Sequence, residues 1–239
     1  MTSPAPTPPA STPAEDEPMA GGEPRWVRPF VVSVAVVGLL LLGAAAGLLI
    51  RLPGSAPAVP EPGPVDIGFA QDMTVHHEQA VTMASWARDN TEDPAVRQLA
   101  YDIESTQTAQ IGRMQGWLAL WDAPGLPVGG HMAWMSDAAG HDHGGADDAP
   151  GGVSTMPGMA SQEELADLRA TTGRELDVLF LQLMLRHHQG GVGMLQYASE
   201  NASVPDVRNL ASQMLSSQTS EAEYLNRLLT ERGGTPLPL

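Results

Sequence analysis

The sequence predicts an all-α protein, a four-helix bundle built from two repeated helical hairpins and preceded by a single transmembrane helix. Three observations predict it. An offset of 111 residues lays one part of the chain on another without a gap. Within each copy, apolar residues recur at steps of three and four, the period of one helix face. Finally, Pro29 to Ile50 carries no charge over 22 residues.

Residues 1–28 are rich in Pro, Ala and acids and lack any apolar period, a composition that cannot offset the entropy of ordering. They read as a disordered, cytoplasmic tail. The uncharged run 29–50 lies between Arg28 and Arg51, and as a helix it would span about 33 Å, enough to cross a hydrocarbon core of about 30 Å. It is longer, and starts later, than the apolar part of a cleaved signal peptide. Arg25 and Arg28 precede the span, and after Arg51 the next basic residue is Arg88. The positive-inside bias therefore places the remainder outside the cytoplasm, on a single-pass cell-membrane protein whose bilayer contact is 29–50. Residues 51–64 form a Pro-rich spacer.

The bundle is expected over 65–232, with half 1 at 65–121, a crossover at 122–160, half 2 at 161–232, and a short tail at 233–239. The offset pairs Asp66 with Asp177, Phe69 with Phe180, Met73 with Met184, His76-His77 with His187-His188, Met83 with Met194, Pro94 with Pro205, and Gln107 with Gln218. In half 1, Asp93 is placed to cap a second helix with Pro94 in its first turn, its inner stripe running through Leu99, Ile103, Gln107, Gln110, Met114, Trp117 and Trp121. Half 2 repeats this, with helices at about 172–200 and 205–231. The second has Leu210, Met214, Gln218, Glu221, Leu225 and Leu228 inward. Ser161 to Glu164 has the form of a capping box.

Composition restricts the chemistry. The net charge is -16 and every basic residue is Arg, so nucleic acid, which needs basic patches, is set aside. With no Cys there is no disulfide, thiolate metal site or thiol nucleophile. Metal chemistry would rest on His, Met, Asp and Glu, and the chain has 12 Met. Adjacent helical residues point about 100° apart, so each His-His pair straddles the inner stripe. Each half thus offers M-x-x-H-H-x5-M on one face, made of Met73, His76, His77 and Met83, then Met184, His187, His188 and Met194. Imidazole with thioether suits copper, and other transition metals, better than magnesium or calcium. Inward Met is also ordinary packing, and a buried His can serve structure alone. Four imidazoles in symmetric places are harder to satisfy without a ligand.

Gln107, Gln110, Gln218 and Glu221 are polar residues on inward stripes, placed either to orient the histidines or to bridge helices. Asp66 and Asp177 stand where they would stabilise helix N-termini. Gly190, Gly191 and Gly193 interrupt the third bundle helix and call for a close contact or an opening. The crossover adds His131, Met132, Met135, His141, His143, Met156 and Met159, a metal-capture tract or a low-complexity linker. Trp134 is expected to be exposed, leaving room for a protein partner of unknown kind.

The doubled D-x-x-F and M-x-x-H-H, the Gln-containing second helices and the Met156-Pro157-Gly158-Met159 run resemble the domain of unknown function 305 family over about 65–232. The resemblance implies a ferritin-like bundle, exported or membrane-anchored, with some relatives binding copper outside the cytoplasm. Carried over by position, its residues are the four paired histidines and the four methionines beside them. Di-iron carboxylate bundles use Glu-x-x-His, which is absent from the sequence. Three functions stay open: copper sequestration or relay, a metal-dependent oxidoreductase, and an interaction module without metal.

Overall fold

The computed structural model describes residues 26–51, 59–138 and 152–239. The tail at 1–25, the spacer at 52–58 and the centre of the crossover, with His141 and His143, lie outside the described residues. Two units are distinguished, Met1–Ala58 and Val59–Leu239.

In the first unit, α1 runs Val27–Arg51. Its stretch Val27–Leu48 is long and apolar enough to cross a bilayer. Its large side chains, including Phe30, Val37 and Leu40, are exposed.

The second unit is a helical bundle. Its helices are α2 (Pro64–Asn90), α3 (Pro94–Leu120), α4 (Gln162–Ala170), α5 (Gly173–Asn201) and α6 (Pro205–Glu231), with a short 3-10 turn at Ala133–Ala138. Shifting Pro94–Leu120 by 111 gives Pro205–Glu231, the bounds of α6. The two central helices, α2 and α5, pack against each other; α3 lies along α2 and α6 along α5. The caps form as their residues dictate. Asp93 accepts from Ala95 N at 2.8 Å and Val96 N at 3.3 Å. Ser161 and Glu164 exchange reciprocal bonds of 2.8 and 3.1 Å.

Asp66 and Asp177 do more than stabilise their own helices. Position 204 corresponds to Asp93 but holds Val, which cannot cap. Asp66 supplies the missing carboxylate from α2, accepting from Val204 N at 2.8 Å and Ser203 N at 3.1 Å as well as from Gly63 N at 2.7 Å. Asp177 in turn accepts from Thr91 Oγ1 at 2.5 Å, at the α2–α3 turn. Each half therefore holds the turn of the other, and α2 and α5 run antiparallel.

The core falls into two apolar clusters. One gathers Ala80, Met83, Ile103, Phe180, Met184 and Leu225. The other gathers Phe69, Met73, Met114, Met194, Leu210 and Met214. Along α2 and α5 the paired histidines lie between them. The inner stripe of α3 ends on Leu118, which is 2% exposed, where the sequence suggested Trp117 and Trp121. Those two rings lie half-buried, stacked at 6.0 Å, with the Arg113 guanidinium over Trp117. Residues 233–239 lie back on the bundle: Leu237 packs on the core, and Gln182 Nε2 donates to Thr235 O at 2.7 Å.

Candidate metal centre

His76, His77, His187 and His188 meet at the middle of the bundle, each no more than 1% exposed. They are central because each pair straddles the inward stripe of its helix, and because antiparallel packing sets equivalent heights of α2 and α5 side by side. The rings of His76 and His187 lie 3.8 Å apart at 37°. His187 Nε2 donates to the His76 carbonyl at 3.0 Å.

The outer member of each pair is oriented by its own flanking helix. His77 Nε2 bonds Gln110 Oε1 at 2.8 Å, and His188 Nε2 bonds Glu221 Oε2 at 2.8 Å. Each Nε2–H donates to its acceptor oxygen, which leaves Nδ1 as the lone-pair nitrogen. Both Nδ1 atoms are buried without a hydrogen-bond partner, as are both ring nitrogens of His76. Gln107 Oε1 and Gln218 Oε1 are in the same condition. Buried polar atoms without partners are costly, and such a concentration is rare. Gln110 and Glu221 thus have a resolved orienting contact, which Gln107 and Gln218 lack.

Burial keeps His76, His77 and His187 neutral. Desolvation, then the neighbouring His77 and His188, lowers the pKa of His76 to about 3. The Pro157 carbonyl near the ring, outside good hydrogen-bond geometry, offsets part of this. Desolvation lowers His77 to about 4, against the opposing bond from Gln110. His187 is pushed well below its ordinary value by desolvation and then by His76. Neutral imidazole is the metal-binding form.

Thioethers border the layer unevenly. Met83 and Met184 lie in one cluster. The other contains Met73, Met114, Met156, Met194 and Met214, with Met132, Met135 and Met159 packed against it. The offset shows how the halves diverge: Ile103 corresponds to Met214, and Met114 to Leu225. Both hydrocarbon members fall on one side and both thioethers on the other. Among the described residues no three His, Asp or Glu side chains converge as a metal cluster. An ion taken here would draw on thioether as well as imidazole.

The crossover closes over the centre. Pro157 and Gly158 press against α5 at Gly190, where a Cβ would stand 2.3 Å from the Pro157 oxygen. Gly158 has a φ of 78° and lies against the Arg186 carbonyl, a place for glycine alone. A Cβ on Gly191 would stand 3.2 Å from His76 Cε1 and 3.5 Å from Gln218 Oε1. Close contact thus accounts for Gly190 and Gly191, and nothing in the structure explains Gly193. At the position corresponding to Gly190, Gln79 holds the same segment by two bonds to Ala160, of 2.7 and 2.9 Å.

Sequence reasoning missed Asp72. It is fully buried and accepts from His131 Nδ1 at 2.6 Å, Met132 N at 2.7 Å and Trp134 Nε1 at 2.7 Å. Trp134, expected at the surface, is consequently half-buried on Gly68, where a Cβ would fall 2.3 Å from its ring. The repeat hid Asp72 because its counterpart is Leu183. Its one signal was an acid next to Met73 on the inward-facing part of α2. Of the crossover candidates, His131, Met132, Met135, Met156 and Met159 gather on the Met-rich side of the bundle.

Comparison with known proteins agrees with this architecture. Residues 66–229 match the family described as domain of unknown function (DUF305). A DUF305 structure from Streptomyces coelicolor is 40% identical with a TM-score of 0.64, covering 73% of this chain and 98% of its own. A DUF305 fragment from Deinococcus radiodurans is 30% identical with a TM-score of 0.57, covering 72% and 99%. CopM in its Cu(II)-bound form is 25% identical with a TM-score of 0.52, covering 70% and 96%. An uncharacterised protein, L153, of Acanthamoeba polyphaga mimivirus is 38% identical over 53 residues, 22% of this chain and only 35% of that protein.

Proposed function

The chain belongs to the domain of unknown function 305 family, and from that premise we propose that it takes copper as cargo, by sequestration or relay. In this reading α1 anchors it in the membrane and the bundle lies outside the cytoplasm. The observation that carries the proposal is the imidazole layer: His77 Nδ1, His188 Nδ1 and both nitrogens of His76 are buried and without partners, and the His76 and His77 rings are held neutral by burial. Thioethers lie on both sides of it. This donor set fits a soft, low-coordinate cation such as Cu(I) and offers little to hard cations. The likeness to CopM, solved with copper bound, supports the choice of metal. The acidic excess of the chain, a net charge of -16 over its full length, would draw cations toward it.

The test is Cu(I) loading of the full chain in detergent against a competing chelator, with metal counted after desalting. Replacing His77 and His188 by Ala spares the His76–His187 stack, and circular dichroism checks that helix content is kept. Retained copper should fall in this variant, and further when all four histidines are replaced. Unchanged stoichiometry and affinity in folded variants would end the reading. Anchoring and orientation are tested by a C-terminal reporter active only outside the cytoplasm.

A further inference from the structure

Beside the imidazole layer, a cavity of ≈ 420 Å³ is lined by His131, Met156 and Met159, together with Gln79, Glu164 and Arg186. We propose that this cavity is a separate, solvent-reachable binding site for a soft monovalent cation such as Cu(I), with His131 Nε2 and the sulfurs of Met156 and Met159 as its ligands. As a step in metal handling it rests on the copper reading above, but it shares none of that site's ligands.

The histidine is prepared for such a role. Asp72 is wholly buried, and its Oδ1 takes the bond from His131 Nδ1 at 2.6 Å. Its Oδ2 is occupied by Met132 N and Trp134 Nε1. A proton held on Nδ1 leaves the lone pair on Nε2, and a carboxylate behind an imidazole is the arrangement that fixes the tautomer of metal-bound histidines and raises their basicity. The His131 side chain stays 25% exposed although its partner carboxylate is closed off. It can therefore meet an ion directly from solvent, whereas the four paired histidines are buried.

The remaining parts are held by the fold. His131 and Val153 pair through both backbone bonds, each of 2.8 Å, which ties the two ends of the crossover together. Met156 and Met159 bracket a turn closed by Met159 N to Met156 O at 3.3 Å. Gly158 seats that turn against α5, and Gln79 fastens its end at Ala160. Little of the Met156–Ala160 turn has to be ordered on binding, which removes part of the usual cost. Arg186 donates to both oxygens of Glu164, at 2.8 and 2.7 Å. Among the described residues Arg186 is the one Arg on the wall, and its charge is thus paired locally with Glu164. Two thioethers with one imidazole favour Cu(I) or Ag(I) over Mg(II) or Ca(II).

The experiment loads the full chain in detergent with Cu(I), and separately with Ag(I), against a competing chelator. The variants are His131→Ala, the volume-conserving pair Met156→Leu with Met159→Leu, Asp72→Asn, and the four-histidine replacement described above. His131→Ala and the Met pair should each lose one equivalent, while the four-histidine variant keeps it. Asp72→Asn should weaken that equivalent by about ten- to 100-fold. X-ray absorption of the four-histidine variant should show sulfur together with nitrogen around the ion. The Met pair keeps core volume, so it separates ligand loss from unfolding. Wild-type stoichiometry and affinity in His131→Ala and in the folded Met pair would overturn the site and leave the imidazole layer untouched. Loss of every equivalent in a folded four-histidine variant would overturn it as well.

Discussion

The imidazole of His76 lies against that of His187, ring centroids 3.8 Å apart, while His187 donates to the main-chain carbonyl of His76. One residue thus supplies both the ring and the acceptor that hold its partner. The ring nitrogens of His76 itself have no hydrogen-bond partner. The arrangement requires neutral rings, since two imidazolium ions at this distance without solvent would repel strongly.

Acid should therefore destabilise the metal-free protein. The folded pKa of His76 is about 3 and that of His77 about 4, against 6.5 for the free side chain. Between those values the unfolded chain binds protons that the folded chain does not, so stability falls as pH drops from 6.5 toward 3 and is fully present above 6.5. The slope approaches about 1.4 kcal/mol per pH unit for each histidine involved. Urea midpoints of the apoprotein at pH 7.5, 6, 5 and 4 measure it, and a flat profile would contradict burial of neutral rings.

Glu221 and Gln110 perform the same task with different chemistry, one a carboxylate and the other an amide. A carboxylate behind an imidazole makes it the stronger donor. Glu221→Gln should weaken copper binding by about tenfold or more, whereas Gln110→Glu should leave it equal or tighter. Competition titrations of both variants at pH 7.5 read the difference.

The uneven distribution of thioethers makes the two faces of the layer unequal. Met73 and Met194 border the methionine-rich side, and Met83 and Met184 the hydrocarbon side. Replacing Met73 and Met194 by Leu should cost more Cu(I) affinity than replacing Met83 and Met184. Each Leu substitution should change stability by less than about 1.5 kcal/mol, because volume is kept. Equal losses of affinity would show that the sides act alike.

Two glycines of α5 should respond oppositely to alanine. At Gly190 the new Cβ would meet the Pro157 oxygen at 2.3 Å, so the crossover must shift, at a cost of about 1–3 kcal/mol. At Gly193 a Cβ meets nothing within 4 Å on an exposed helical surface, and Ala should stabilise by about 0.5–1 kcal/mol. Thermal melts of the two variants decide.

The sequence by itself determined the helices and their pairing. Apolar period, proline and capping residues are local signals, and the 111-residue offset made each half a check on the other. The bounds of α6 and the Ser161–Glu164 cap were legible for that reason, and so were the four histidines, whose adjacency puts them astride an inward stripe wherever the helix packs. Tertiary structure decided what broke the symmetry. A single crossover must serve two equivalent faces, so Gln79 grips it by hydrogen bonds while Gly190 makes way for it. Asp72 and Leu183 occupy equivalent places, yet only Asp72 has a loop to anchor. Asp66 caps a helix 138 residues away because Val204 cannot cap its own. No local pattern encodes such contacts: they depend on which distant backbone groups packing leaves without partners, and that is fixed only once both halves have come together.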